Sequence, residues 1–135
     1  MDKKLTKEEL KEVKKKEFLE GIEKKGISNI IFKTEGLGAL EFDLEMVGKN
    51  FEIGSIPFRV ERISTESFLK LQDIKDGIKA VETTLKTFIA FPVEARDKEY
   101  FNLDLEAMTN IVEFILDFQQ TPILFLENFK GNAKN

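Results

Sequence analysis

Leu40, Phe42, Leu44 and Met46 alternate with Glu41, Asp43 and Glu45 along one short run of the chain. Successive side chains of a β-strand point to opposite faces, so this run sets its hydrophobes on one side and its carboxylates on the other. A one-residue slip would carry the whole apolar set into water. The register is therefore strongly specified, and a second layer must cover the apolar face. Residues 30–33, 51–53 and 56–63 are further strand candidates, with Gly36 and Gly38, Gly48 with Lys49 and Asn50, and Gly54 with Ser55 as turns at short intervals. The expectation is an antiparallel meander of three to four strands. Pro57 has no N–H to give to a ladder, which places it near a strand start or on an edge.

Two main helices supply the cover. Ser64 or Thr65 can cap a helix whose apolar positions, Phe68, Leu71, Ile74, Ile78, Val81, Leu85 and Phe88, step by three and four for about 25 residues. Pro92 ends it near Phe91, because proline cannot continue a helix and biases the residue before it toward extended geometry. Gly77 is unfavourable in a helix interior and marks close packing or a bend. After a polar loop over residues 94–102, Asp104 caps a second helix running to about Gln119, with Leu105, Met108, Ile111, Val112, Ile115 and Leu116 as its buried stripe. Thr121 and Pro122 then read as N-cap and first residue of a short last helix over residues 123–129, closed by Gly131.

At the other end, Thr6 and Glu9 have the spacing of a capping box for a helix over about residues 6–25, which Gly26 terminates. Its apolar residues, Leu10, Val13, Phe18, Leu19 and Ile22, are few and imperfectly spaced, so its buried stripe is narrow. The fold class is α+β: an antiparallel sheet packed against two main helices, with a charged N-terminal helical arm (residues 1–28) before a single domain (residues 29–135) that ends in a short C-terminal helix.

The chemistry available to this fold is limited. The aromatic residues are 13 Phe and one Tyr, and His, Cys and Trp are absent. Most of the side chains that carry acid–base, nucleophilic or metal chemistry are thus missing, which points to a non-enzymatic protein without a cofactor. A hard cation held by carboxylates is the remaining metal option, and it keeps a small carboxylate and divalent-cation enzyme as an alternative of another class. Glu41, Asp43 and Glu45 need no cation, since strand alternation accounts for them. Ser67 and Lys70 have the Ser-x-x-Lys spacing of some acyl-transfer enzymes but lack the companion motifs. Gly36-Leu37-Gly38 has Glu41 where a phosphate loop would have its third glycine.

No apolar run approaches the ~20 residues of a membrane span, and the charged N-terminus has no apolar core of a secretory signal, so a cytoplasmic protein without a membrane partner is expected. The formal net charge of −4 is uneven: residues 1–28 hold nine Lys against seven acids, leaving −6 for the rest. An acidic body argues against a nucleic-acid partner.

Two groups of residues are candidates for protein contact. Lys14, Lys15 and Lys16 either form a docking arm for an acidic surface or face water on a helix laid against its own domain. Phe118, Ile123, Phe125, Leu126 and Phe129 are too apolar to be left bare, so they either complete the core or form a contact surface. The only arginines, Arg59, Arg62 and Arg96, fit surface strand pairs or interface anchors.

The strand Phe58-Arg59-Val60-Glu61-Arg62-Ile63 feeding a long helix, then a loop and a helix opening Leu103-Asp104-Leu105-Glu106-Ala107-Met108, resembles the tail assembly chaperones of long-tailed bacteriophages over about residues 40–120. The Lys-rich helix before the sheet departs from much of that family. The resemblance implies a non-enzymatic protein of the host cytoplasm, often multimeric. It would bind a hydrophobic tape-measure protein and recruit tail-tube subunits before they polymerise. The alternative within the same setting is a structural component of a phage tail or head–tail joint, which would stay in the particle. The resemblance further implies a second, longer form made by ribosomal frameshifting, and Ala133, Lys134 and Asn135 are compatible with a slippery coding run.

Overall fold

The computed structural model describes residues 4–130. Gly131 and the triplet Ala133, Lys134 and Asn135 lie outside the described residues.

The chain is α+β. Helix α1 (Lys7–Lys24) opens on Thr6, whose hydroxyl accepts from the Glu9 N–H while the Glu9 carboxylate accepts from the Thr6 N–H. The expected capping box is therefore present. Gly26, at φ +75°, turns the chain out of α1 with its carbonyl accepting from the Glu45 N–H at 2.8 Å. A Cβ at this position would sit 3.3 Å from the Glu45 carbonyl oxygen, so both the conformation and the close approach favour glycine.

Strands β1 (Ile27–Lys33), β2 (Ala39–Val47) and β3 (Ile53–Glu61) form the meander, and a short β4 (Ile89–Phe91) joins β3 to complete an antiparallel sheet in the order β1-β2-β3-β4. Leu40, Phe42, Leu44 and Met46 are all buried, as their alternation requires. Two strand expectations are corrected. Residues 51–53 are not a separate strand, and Gly54 with Ser55 is not a turn. Phe51 and Glu52 precede β3, and Ile53, Gly54 and Ser55 begin it, paired with β2 without a break from Val47↔Ile53 to Ala39↔Glu61. The turn at Gly48, Lys49 and Asn50 already reverses the chain, so a second reversal would strip the ladder from β2.

The expected long helix is two helices, α2 (Thr65–Gln72) and α3 (Gly77–Phe88). The Asp76 carboxylate accepts from the Ile78 and Lys79 N–H groups at 2.9 and 3.1 Å, which starts a new helix where one helix would have run through. A Cβ on Gly77 would meet nothing within 4 Å, so this glycine marks a break and not close packing. The chain after Phe88 is also extended as β4, paired through Arg59↔Phe91 and Val60↔Ile89, and the Phe91–Pro92 peptide is cis. Two 3-10 turns, Val93–Arg96 and Lys98–Phe101, occupy the expected polar loop.

Helix α4 (Leu105–Gln120) begins at Asp104, whose carboxylate accepts from the Ala107 N–H at 3.0 Å and from the Val47 N–H at 2.9 Å. One cap thus also fixes the helix start against the end of β2. The Phe114 ring meets Phe42 edge-on at 4.9 Å, and Phe42 stacks on Phe58 at 5.7 Å, which seats α4 on the middle of the sheet. Near the other end of α4, the buried Gln119 amide accepts from the Ile63 N–H and donates to the Ile63 carbonyl, each at 2.9 Å. It acts as a one-residue strand partner for chain leaving β3. Helix α5 (Pro122–Phe129) follows with Pro122 in its first turn, and Lys130 makes a single parallel bridge with Phe32 of β1.

Candidate protein-binding site

The C-terminal aromatics lie inside the molecule. Phe118 and Phe125 are 0% exposed. Phe125 takes edge-on contacts from Phe18 at 5.0 Å, Phe118 at 5.3 Å and Phe114 at 5.4 Å, while Phe118 meets Phe32 at 5.6 Å. Phe118 and Phe125 are therefore corrected from contact surface to core. The reason is that α5 folds back beneath α1 and beside α4, so its rings become the hub linking both ends of the chain to the sheet. Leu126 and Phe129 are partly buried against the same core, and of the expected group Ile123 alone, 61% exposed, presents apolar surface to water.

Lys14, Lys15 and Lys16 are all exposed, and among the described residues none of them is in a salt bridge. Every residue from 4 to 17 is exposed. Among the described residues the helix meets the core in its second half, through Phe18 and Ile22, with Lys25 reaching Glu113 at 3.6 Å. Residues 7–17 thus project as about 16 Å of helix at the usual rise per residue. Lys14, Lys15 and Lys16 splay around the axis at helical spacing and do not form one patch. The stripe that carries Ile22 and Phe18 onto the body instead continues N-terminally as Lys14, Lys11 and Lys7, at steps of four, four, three and four. The underside of the projecting segment is basic, with the half-exposed Leu10 at its flank and the half-exposed Val13 on the far side of the helix.

The arginines are committed to the fold. Arg59 sits on the open sheet face between Glu61 at 2.9 Å, Glu35 at 2.6 Å and Glu41 at 2.9 Å, and these carboxylates, Glu61 foremost, raise its pKa. Arg62 donates to the carbonyls of Leu37 and Gln119 at 2.9 and 3.0 Å, and burial lowers its pKa. Arg96 donates to the Lys86 carbonyl.

A cleft of about 680 Å³, absent from the sequence-based expectations, lies between the β2–β3 turn and the 3-10 pair, bounded by Lys49, Lys86, Val93, Arg96, Glu99 and Tyr100. A neighbouring apolar cleft of about 490 Å³ shares Lys49, Glu99 and Tyr100 and adds Met46, Ile56 and Leu103. Tyr100 is the only tyrosine, and burial followed by the nearby Glu94 raises its phenol pKa. The lining comes from four separated segments with no common motif, so no sequence signal joins them. Among the described residues, no side chain of the cleft hydrogen-bonds another in the manner of a nucleophile and its base. Ser67 likewise pairs with Ser64, and Lys70 with Glu66. No three His, Cys, Asp or Glu among the described residues are placed to hold a metal ion, and no helix there is long and apolar enough to cross a membrane.

No protein-family model, curated protein or solved structure matches this chain.

Proposed function

We propose that this protein works by binding other proteins, as a phage tail assembly chaperone that holds a tape-measure protein and recruits tail-tube subunits. The observation that carries the reading is the projecting half of α1: eleven consecutive exposed helical residues, 7 to 17, behind the Thr6 cap, with a basic underside. A helical segment of this length, with so little of its own to pack against, is marginal in water and gains stability from a partner. Its lysine underside suits an acidic surface, and the half-exposed Leu10 at its flank adds a small apolar contact. The C-terminal rings stabilise the body and take no part in the contact.

The test is affinity capture of the tagged full chain from cells expressing its neighbouring genes, with mass spectrometry of what is retained. A long helical tape-measure-like protein is expected. Charge reversal of Lys7, Lys11 and Lys14 to Glu should release it while the melting temperature is unchanged. Recovery only within assembled particles would favour a structural component of the tail, and retention undiminished by the reversal would remove the arm from the contact.

A further inference from the structure

The open face of the sheet carries a row of charge that the chain leaves partly unneutralised. Residues paired across a sheet share a face, so Ile31, Glu41, Arg59 and Phe91 align across all four strands on the side away from α4. Alternation sets Asp43 and Glu45 in line with Glu41 along β2. Both cations of this face, Arg59 and Lys33, sit at the Glu41 end, where Arg59 also holds Glu35 and Glu61. Farther along, Asp43 accepts from the Asn29 side-chain amide at 2.8 Å, but among the described residues neither Asp43 nor Glu45 is in a salt bridge. The neighbouring edge of β3 is protected against a partner strand. β4 pairs with β3 only at Arg59 and Val60, and on the open residues 53–57, Pro57 has no N–H to give. The face, and not the edge, is the surface a partner can use.

The complementary row is on α1. Lys7, Lys11 and Lys14 lie along one stripe of the projecting segment, and among the described residues none of them is in a salt bridge. They cannot reach the open face of their own sheet. The same stripe continues into Phe18 and Ile22, which pack on Phe125, Phe129 and the core, on the side of the sheet that α4 covers. The lysines and the acidic row of one molecule thus belong to opposite sides of its sheet, and a second molecule is needed to bring them together.

We propose that the arm of one copy docks on the open sheet face of a second copy, with Lys7, Lys11 and Lys14 over the row Glu41, Asp43 and Glu45. The dimensions agree. From Lys7 to Lys14 the helix rises about 10 Å, and from Glu41 to Glu45 the strand rises about 14 Å, a difference that flexible lysine side chains span. Leu10, at the flank of the lysine stripe, then lies against the exposed Pro57, the β3 neighbour of Asp43. The contact is heterologous, arm to face, and every copy offers one of each. Exposed ion pairs are individually weak and screened by salt, so the contact forms at high protein concentration and the dilute chain keeps its arm free. This assignment rests on the arm as a contact element, as in the chaperone reading, but not on the identity of that reading's partner. A partner protein that takes the arm displaces it from the face of a neighbour.

Exchange of charge between arm and face tests the contact. Sedimentation of the full chain at low salt should show concentration-dependent association that is lost at high salt. Reversal of Lys7, Lys11 and Lys14 to Glu in one variant, and Asp43→Lys with Glu45→Lys in another, should each abolish it without altering the circular dichroism. Mixing the two variants should restore it, since the acidic arm of one then meets the basic face of the other. If the double substitution on the face unfolds the chain, Glu45→Lys alone, at an exposed side chain, should weaken the association and recover it with the arm variant. An unmodified chain that stays monomeric at its highest soluble concentration in low salt, association unchanged in either variant, or a mixture that stays dissociated would overturn the proposal. Restored association supports it whether or not a tape-measure-like protein is captured, so the two readings fail separately.

Discussion

The first and last elements, the 18-residue α1 and the 8-residue α5, are both helices, and they use their hydrophobes in opposite ways. In α1 the apolar residues Leu10 and Val13 are left half in water, while in α5 a single ring, Phe125, touches aromatics from α1 and α4 and is fully buried. The more apolar end serves the fold, and the more charged end is the one available to a partner. Apolar content alone was a poor guide to contact surface here. Four aromatic rings lie within about the contact range of Phe125, which makes it a hub, whereas every residue of the first turns of α1 is exposed.

That contrast is sharpened most by Phe125→Ala, which should cost about 3–5 kcal/mol of stability in thermal or denaturant unfolding, since it leaves a cavity among rings that cannot collapse. Leu10→Ala and Val13→Ala should change the same measurement by no more than about 0.5 kcal/mol. A small loss at Phe125 would break the comparison. Next in size is Gln119→Leu, which removes the amide that satisfies both backbone groups of Ile63 and should cost about 1–3 kcal/mol. Thr6→Ala removes the capping box and should cost the arm about 1 kcal/mol. This loss should appear as lower helicity and faster amide exchange over the first turns of α1, with little change in global unfolding, because those turns bury nothing. The smallest effect on stability belongs to the reversal of Lys7, Lys11 and Lys14 to Glu, which should leave unfolding unchanged and act only on binding.

Much of the fold was legible from local patterns that have one physical outcome. The alternation from Leu40 to Met46 permits only a one-sided strand, and Thr6 with Glu9, Asp104, and Thr121 with Pro122 mark the helix starts found in the structure. The misreadings share a cause. The three-and-four spacing from Phe68 to Phe88 runs through the break at Asp76 because Phe68 and Leu71 of α2 and Leu85 and Phe88 of α3 all reach the core, although Ile78, in the first turn of α3, is 67% exposed, and the available signal was an Asp immediately before a Gly. Gly54 and Ser55 resemble a turn by composition, but their backbone is tied to β2, where residue type matters less than the ladder. β4 was hidden because three residues are too few to show a period.

The candidate site was legible in part. The exposure of Lys14 to Lys16 follows from a helix with too few hydrophobes to be buried. The position of Phe118 and Phe125 could not be read, since phenylalanine is equally at home in a core or an interface and only the path of α5 decides. The Tyr100 cleft and the open edge of β3 are products of tertiary arrangement. They depend on where β4 stops and where the 3-10 pair lies, and no stretch of sequence records either.

Amide hydrogen exchange of the intact chain, read segment by segment, tests the central contrast directly. Strong protection is expected in α5 and in α4 around Phe118, with little in residues 7–16 of α1. Protection of those arm residues as strong as that of α5 in the isolated chain would mean the arm is already docked, and would contradict the account.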